Sequence, residues 1–258
     1  MTVRFLIDGP VARVTIDRPN RLNAIDDATT QEMIAIWEAI ERNREIRVVV
    51  LTGEGERAFC AGADMKNGTD VDGVDYWTAQ PPTGFGGLSL RDSLDIPVIA
   101  RVNGHALGGG MVMLLGCDIV IASSRATFGL PEPRVGRLPL DGGIALLARQ
   151  LPHVVAMGLL LTGRRIGAEE ALRLGLVNEV AAPEALDQAV DRWVQDVLAC
   201  APLCLRAIKQ MVRMSRERRP SEIEMTRFPA LIAALKSSDQ FEGVKAFLEK
   251  RPPRWEGR

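Results

Sequence analysis

Pro97-Val98-Ile99-Ala100-Arg101-Val102-Asn103-Gly104-His105-Ala106-Leu107-Gly108-Gly109-Gly110-Met111-Val112, running on to Asp118-Ile119-Val120-Ile121-Ala122, is the stretch that decides the reading of this chain. It reads as an apolar strand over 98–102, a turn at Asn103-Gly104, three glycines opening an apolar helix, and a second strand over 118–122. Successive glycines let the backbone come close to another group, and the helix they open presents N–H donors that have no intrahelical acceptor. A lone triplet of this kind also suits a crowded strand-to-helix crossing. What favours chemistry is a second candidate upstream, Phe59-Cys60-Ala61-Gly62-Ala63-Asp64, directly after the strand Arg47-Val48-Val49-Val50-Leu51-Thr52. Two backbone donors from two loops make an oxyanion hole, which stabilises developing negative charge by several kcal/mol in a water-poor site. Side chains are then needed only to move protons.

At 258 residues the chain can bury a large core, and its 47% hydrophobic and 25% charged residues are those of a globular protein. A net charge of -1 provides no general attraction to nucleic acid or to an anionic membrane. The mixed charge of Met1 to Arg13 does not read as a signal peptide, and the apolar run at 106–122 is broken by glycines and Asp118, so no membrane span is expected. The four cysteines, Cys60, Cys117, Cys200 and Cys204, show no disulfide spacing, which points to reduced thiols and a cytoplasmic protein. Cys200 and Cys204 lie one helical turn apart, but with only His105 and His153 elsewhere they read as buried thiols, and no metal is expected.

In chain order, Val3–Ile7 and Val11–Ile16 form a hairpin around Asp8-Gly9-Pro10. Asp26 or Asp27 caps a helix running to about Asn43, with Met33, Ile36, Trp37 and Ile40 at core spacing, and the strand at 47–52 completes a parallel unit. Residues 66–90 have no regular period and read as a loop, a lid or specificity insert in which Tyr76, Trp77 and Phe85 either line an acyl pocket or simply pack. Ala126–Gly129 is a short strand, and the proline-rich 130–143 places Glu132 and Asp141 on loop or a single turn. A helix follows to about Gln150, and from Pro152 onward only helices are expected: 153–161, 168–174, 184–199, 203–218, 221–236 and 239–249. The shift from alternation to helices divides the chain into a core over 1–200 and a helical region over 201–258.

With these residues in view, the chain resembles the crotonase, or enoyl-CoA hydratase/isomerase, superfamily. The resemblance rests on Arg18-Pro19 through Leu22-Asn23-Ala24, Ala58-Phe59-Cys60-Ala61-Gly62-Ala63-Asp64-Met65-Lys66, Val102-Asn103-Gly104-His105-Ala106-Leu107-Gly108-Gly109-Gly110, Cys117-Asp118-Ile119, Phe128-Gly129-Leu130-Pro131-Glu132, Leu161-Thr162-Gly163 and Gly175-Leu176-Val177. It implies an α/β fold, a spiral of ββα units with a helical C-terminal trimerisation region, and a homotrimer or dimer of trimers. It also implies an acyl-CoA thioester as substrate, with no further cofactor, and oxyanion-hole N–H groups at Ala63 and Gly109. Ala24, Ala61, Asp64, Met65 and Lys66, with Asn20, Arg21 and Leu22 nearby, resemble the strip that lies along CoA. Phe247 and Lys250 match C-terminal positions that touch CoA from a neighbouring subunit, although Lys250 also reads as a solvated helix end.

One departure bears on mechanism. Hydratases of this family use two glutamates, one just after the glycine triplet and one in the Pro-Glu motif. The second is Glu132; the first falls at Val112, which the resemblance places with Gly110 among the substrate-binding positions. A single carboxylate with an apolar partner resembles the Δ3,Δ2-enoyl-CoA isomerases, in which one base carries a proton from C2 to C4. Asp141 leaves an alternative open. Dienoyl-CoA isomerases, carnitinyl-CoA dehydratase-like enzymes and C–C hydrolases carry an acid in this turn, so Glu132 with Asp141 would hydrate, dehydrate or hydrolyse. As an Asp before Gly142-Gly143 it also reads as a helix N-cap, the role favoured here. The C-terminal residues, from Phe241-Glu242-Gly243 through Trp255-Glu256-Gly257-Arg258, resemble the carnitinyl-CoA dehydratase-like branch. A non-catalytic RNA- or CoA-binding relative is the remaining class. Arg206, Lys209, Arg213 and Arg216 share a helix face, but without interleaved aromatics they read as a solvated stripe, and no nucleic-acid partner is expected.

Overall fold

The computed structural model describes residues 1–64, 72–215 and 218–258. Met65, Lys66 and Arg216 lie outside them. Contacts divide the chain into two compact units, one of Met1–Leu94 with Val98–Asp191 and one of Asp95–Pro97 with Arg192–Arg258.

The first unit is built on two sheets. β1 (Val3–Asp8) and β2 (Val11–Ile16) pair antiparallel in the hairpin, and Asp26 accepts from the Thr29 N–H to start α1 (Asp27–Arg42). Met33, Ile36, Trp37 and Ile40 all face the core, as their spacing requires. From β3 onward the chain contributes strands in pairs: β3 (Val48–Gly53) and β4 (Ala58–Cys60), β5 (Val98–Val102) and β6 (His105–Leu107), β7 (Ile119–Ser123) and β8 (Thr127–Gly129). In each pair the first strand joins a six-stranded sheet, ordered β1-β2-β3-β5-β7 and closed by β10 (Glu179–Ala181), and the second joins a four-stranded sheet, ordered β4-β6-β8 and closed by β9 (Ile166–Gly167). The parallel ladders β2-β3, β3-β5 and β5-β7 run beside β4-β6 and β6-β8, so the chain winds as repeated ββα turns. Val48, Val49, Val50 and Leu51 are all buried, as expected of a strand covered on both faces.

The corners between the sheets explain two of the motifs. A Cβ on Gly104 would stand 2.3 Å from the Arg57 carbonyl oxygen, so the β5–β6 corner crosses the start of β4 in a space that only glycine fits. Buried Asn23 and Asn103 both donate to the Ala58 carbonyl, at 2.6 and 3.0 Å, and pin that crossing. Asp118 closes another corner, accepting from the Val98 N–H at 2.7 Å. His105 is likewise structural, its Nδ1 lying 2.7 Å from Thr127 Oγ1, and His153 is exposed.

The structure corrects several expectations. The stretch read as a loop contains α2 (Gly73–Ala79), started by Asp72 accepting from the Val74 N–H. After α4 (Gly143–Gln150) and α5 (His153–Thr162) the chain is not purely helical. β9 (Ile166–Gly167) pairs antiparallel with β8, and after α6 (Ala168–Arg173) β10 (Glu179–Ala181) pairs parallel with β7. These strands are too short for any period to register in sequence.

α7 (Leu186–Leu198) leads into the second unit, which holds α8 (Pro202–Ser215), α9 (Pro220–Met225), α10 (Pro229–Lys236) and α11 (Asp239–Leu248). The single helix expected over 221–236 is two, because the residue before Pro229 is driven to extended backbone and Phe228 has ψ 138. Cys200 and Cys204 are exposed, not buried. Nor is the basic stripe of α8 simply solvated: Lys209 donates to the Ile96 carbonyl at 2.8 Å and Arg213 pairs with Asp95 at 2.5 Å. Among the described residues no helix is long and apolar enough to cross a membrane.

Candidate active site

The glycine triplet begins at the end of β6. Gly108 has φ +54 and its N–H donates to the Gly129 carbonyl at 2.9 Å; α3 (Gly109–Leu114) starts at the next residue. A Cβ on Gly110 would fall 2.0 Å from the Cys60 carbonyl oxygen, and one on Gly109 2.4 Å from the Phe85 ring. The triplet is therefore packed between the 58–63 segment on one side and Phe85 on the other. Of the aromatics read as either lining a pocket or simply packing, Phe85 is buried here and Trp77 is 64% exposed.

The upstream loop reaches the same place. Gly62 has φ +99, and its Cβ position would lie 3.1 Å from the Gly109 nitrogen. The loop is held in a short parallel bridge: the Ile25 N–H donates to the Gly62 carbonyl and the Asp64 N–H to the Ile25 carbonyl, both at 2.9 Å. That bridge uses neither polar backbone group of Ala63, which is exposed. The 18–26 segment carries Ile25 and is braced by Arg18, which donates to the Ala24 carbonyl and pairs with Asp26 at 2.7 Å and Asp64 at 3.0 Å. The Ala61 N–H donates to the Leu22 carbonyl at 3.1 Å. Asn20 and Arg21 are exposed, Leu22 and Ala61 half-buried and Ala24 buried, so one rim carries this strip. The bracing role of Arg18 carried no sequence signal, since it depends on three carboxyl and carbonyl groups brought from separate segments.

Glu132 enters from a turn of 3-10 helix over Glu132–Val135. Arg134 donates to the Thr162 carbonyl at 2.8 Å, and Gly163 packs under Pro131 and Arg134, which accounts for the Leu161-Thr162-Gly163 motif. The carboxyl reaches back to the triplet, with Oε1 3.1 Å from where a Gly108 Cβ would be. Its Oε2 is buried and has no hydrogen-bond partner among the described residues. Burial pushes its pKa above the ordinary glutamate value.

Val112, one turn into α3, is 2% exposed, and its Cγ2 lies 2.9 Å from the Cβ position of Gly143. Asp141 sits two residues before that contact and differs from expectation. The N-cap of α4 is Gly142, with no side-chain capping bond, while Asp141 has φ +56 and accepts from the Tyr76 hydroxyl at 3.1 Å. The cap reading fails because the left-handed backbone turns the side chain away from the helix amides. Burial raises the Asp141 carboxyl, and the Tyr76 hydrogen bond works against that rise. Phe247, on α11, is 82% exposed, and Lys250 follows the helix with φ +52; both belong to the second unit. Among the described residues no three His, Cys, Asp or Glu side chains cluster as a metal would require.

Fold and site together define an α/β protein of wound ββα turns in which two glycine-bearing loops meet beside one buried carboxyl. The family model for enoyl-CoA hydratase/isomerase matches residues 7–258. The chain is 38% identical to a carnitinyl-CoA dehydratase of Citrobacter koseri, covering 100% of this chain and 99% of that one. It is also 38% identical to an (E)-benzylidenesuccinyl-CoA hydratase of Thauera aromatica, covering 100% of both. The solved enoyl-CoA hydratase of Mycobacterium tuberculosis H37Rv superposes with a TM-score of 0.89 at 32% identity, over 100% of this chain and 99% of that one. The chain belongs to the enoyl-CoA hydratase/isomerase family, within the crotonase superfamily, and is an acyl-CoA enzyme of that family.

Proposed function

We propose that the protein is a lyase that adds water across, or eliminates it from, the C2–C3 bond of an acyl-CoA thioester. The Ala63 and Gly109 N–H groups hold the thioester oxygen, which takes up charge as an enolate forms. Ionised Asp141 takes the proton from water attacking C3, and neutral Glu132 delivers one to C2; in the elimination direction the roles reverse. Two carboxyls with different environments suit such a division: Glu132 keeps a buried oxygen with no partner among the described residues, and Asp141 receives a hydroxyl donor. The observation that carries the reading is Asp141, held by Tyr76 at a strained backbone position and not spent on capping the helix. The two relatives named above, a dehydratase and a hydratase, point the same way. CoA would lie along Ala24, Ala61, Asp64, Met65 and Lys66, with Asn20, Arg21 and Leu22 at its rim. In a homotrimer or dimer of trimers, Phe247 and Lys250 would reach a neighbour's CoA.

Val112 favours a second reading, isomerisation by Glu132 alone, because a buried valine stands where the family's other glutamate would be. Purified enzyme given 2-enoyl-, 3-hydroxyacyl- and 3-enoyl-CoA separates the two. Under the lyase reading, Glu132→Gln and Asp141→Asn each slow hydration by about 10²- to 10⁴-fold. Hydration at the wild-type rate in Asp141→Asn would refute it, and 3-enoyl to 2-enoyl conversion indifferent to that substitution would install the isomerase.

A further inference from the structure

We infer that Tyr76 is a positioning residue of this reaction, its phenol holding one oxygen of Asp141 so that the other is left to exchange the proton with water. The inference rests on the two-carboxyl reading above and adds a residue to it.

The burial pattern of α2 first draws notice to Tyr76. Val74 and Trp77 are 63% and 64% exposed, and every residue of the helix except Tyr76 is exposed. A helix that leaves its apolar residues in solvent and inserts one tyrosine is not there to build a core. The inserted hydroxyl meets Asp141 Oδ2 at 3.1 Å, while the structure gives Oδ1 no hydrogen-bond partner among the described residues. The backbone of Asp141 is held separately, its carbonyl accepting from Ser89 Oγ at 2.8 Å. Ser89 is itself wedged against Gly84, where a Cβ would come within 2.2 Å of its Oγ. Carbonyl and Oδ2 are thus fixed from two directions, by groups from two other segments, and the strained φ is kept. Gln80 donates to the Tyr76 carbonyl at 3.2 Å and closes the end of the helix that carries the phenol.

Among the described residues, the charged groups facing Tyr76 are Asp141 from the turn before α4, Arg137 from the same turn, and Asp27 from the start of α1. Burial and then the Asp141 charge push the phenol well above its ordinary pKa, so Tyr76 remains a donor at working pH. A donor to the ionised carboxyl lowers the pKa of Asp141, opposing the rise that burial imposes. Without the phenol, Asp141 would bind its proton at a higher pH and be less often ready to accept one from water.

The test is Tyr76→Phe, which keeps the ring and removes the donor, beside Trp77→Phe as a control on the same helix and Asp141→Asn. The acid limb of the kcat/KM profile for hydration should move up by about one pH unit in Tyr76→Phe, with kcat down about tenfold near that limb and KM within about twofold. The carboxyl carbon-13 titration of Asp141 should move in the same direction without any turnover, and Trp77→Phe should superimpose on the wild type. If Asp141→Asn is inactive but Tyr76→Phe keeps both the wild-type profile and the wild-type titration, the positioning role is wrong and the lyase reading stands. If Asp141→Asn keeps full hydration, both fall together.

Discussion

Replacing Glu132 by glutamine should make the enzyme slower and no less stable, a combination expected only where a carboxyl is kept for chemistry. Among the described residues its buried Oε2 has no partner, a situation that costs about 1–3 kcal/mol for a polar atom and more when the group is charged. Glutamine has the same shape and also leaves that position unpaired, but it never carries the charge. The sign follows from linkage: the folded pKa lies above the unfolded one, so the wild type is favoured below the ordinary value of 4.5 and loses that advantage as pH rises through the raised pKa. The variant loses nothing there, so its stability relative to wild type should grow with pH. By pH 8 the gain should be about 1 kcal/mol, or about 2–4 °C in Tm for a unit of this size. Hydration should meanwhile fall by about 10²- to 10⁴-fold, about 3–5 kcal/mol in the barrier. Thermal unfolding at pH 5 and pH 8, with enoyl-CoA turnover measured on the same preparations, reads both quantities. A variant with turnover within tenfold of wild type, or with Tm more than about 4 °C below it at pH 8, would refute the reasoning.

Further substitutions probe how the site is held. Gly110→Ala should cost about 3 kcal/mol or more, because its Cβ would meet the Cys60 carbonyl oxygen at 2.0 Å and neither backbone can yield; a soluble variant with wild-type Tm would contradict this. Arg18→Ala removes the cation shared by Asp26 and Asp64 and should cost about 3 kcal/mol while raising KM for acyl-CoA through the loosened 61–64 loop, as denaturant unfolding and steady-state kinetics would show. In the second unit, buried Asp239 accepts from the Glu256 and Gly257 N–H groups at 2.7 and 3.0 Å. Asp239→Asn turns one of those contacts donor against donor, should cost about 1.5–3 kcal/mol, and should speed tryptic cleavage at Arg254.

The local rules were readable where a residue's neighbours in sequence are also its neighbours in space. The Asp26 cap, the core face of α1, the β1–β2 hairpin and the strand-glycine-helix passage at 98–114 are all of this kind. The resemblance carried the family and the candidate residues Ala63, Gly109 and Glu132, because their motifs are contiguous. The two-residue β9 and three-residue β10 were not readable, since their existence depends on the edges of β8 and β7 already being in place.

Sequence alone therefore determined the alternation of strands and helices and the two glycine loops, all properties of short segments. Tertiary structure decided what those segments do for one another. It put Gly62 against Gly109, brought Glu132 Oε1 beside Gly108 while leaving Oε2 without a partner among the described residues, and turned Asp141 from the helix it precedes toward a tyrosine 65 residues away. The reason is physical: a carboxyl's proton affinity and a peptide N–H's availability are set by burial and by partners across the fold, and neither is encoded in the few residues on either side.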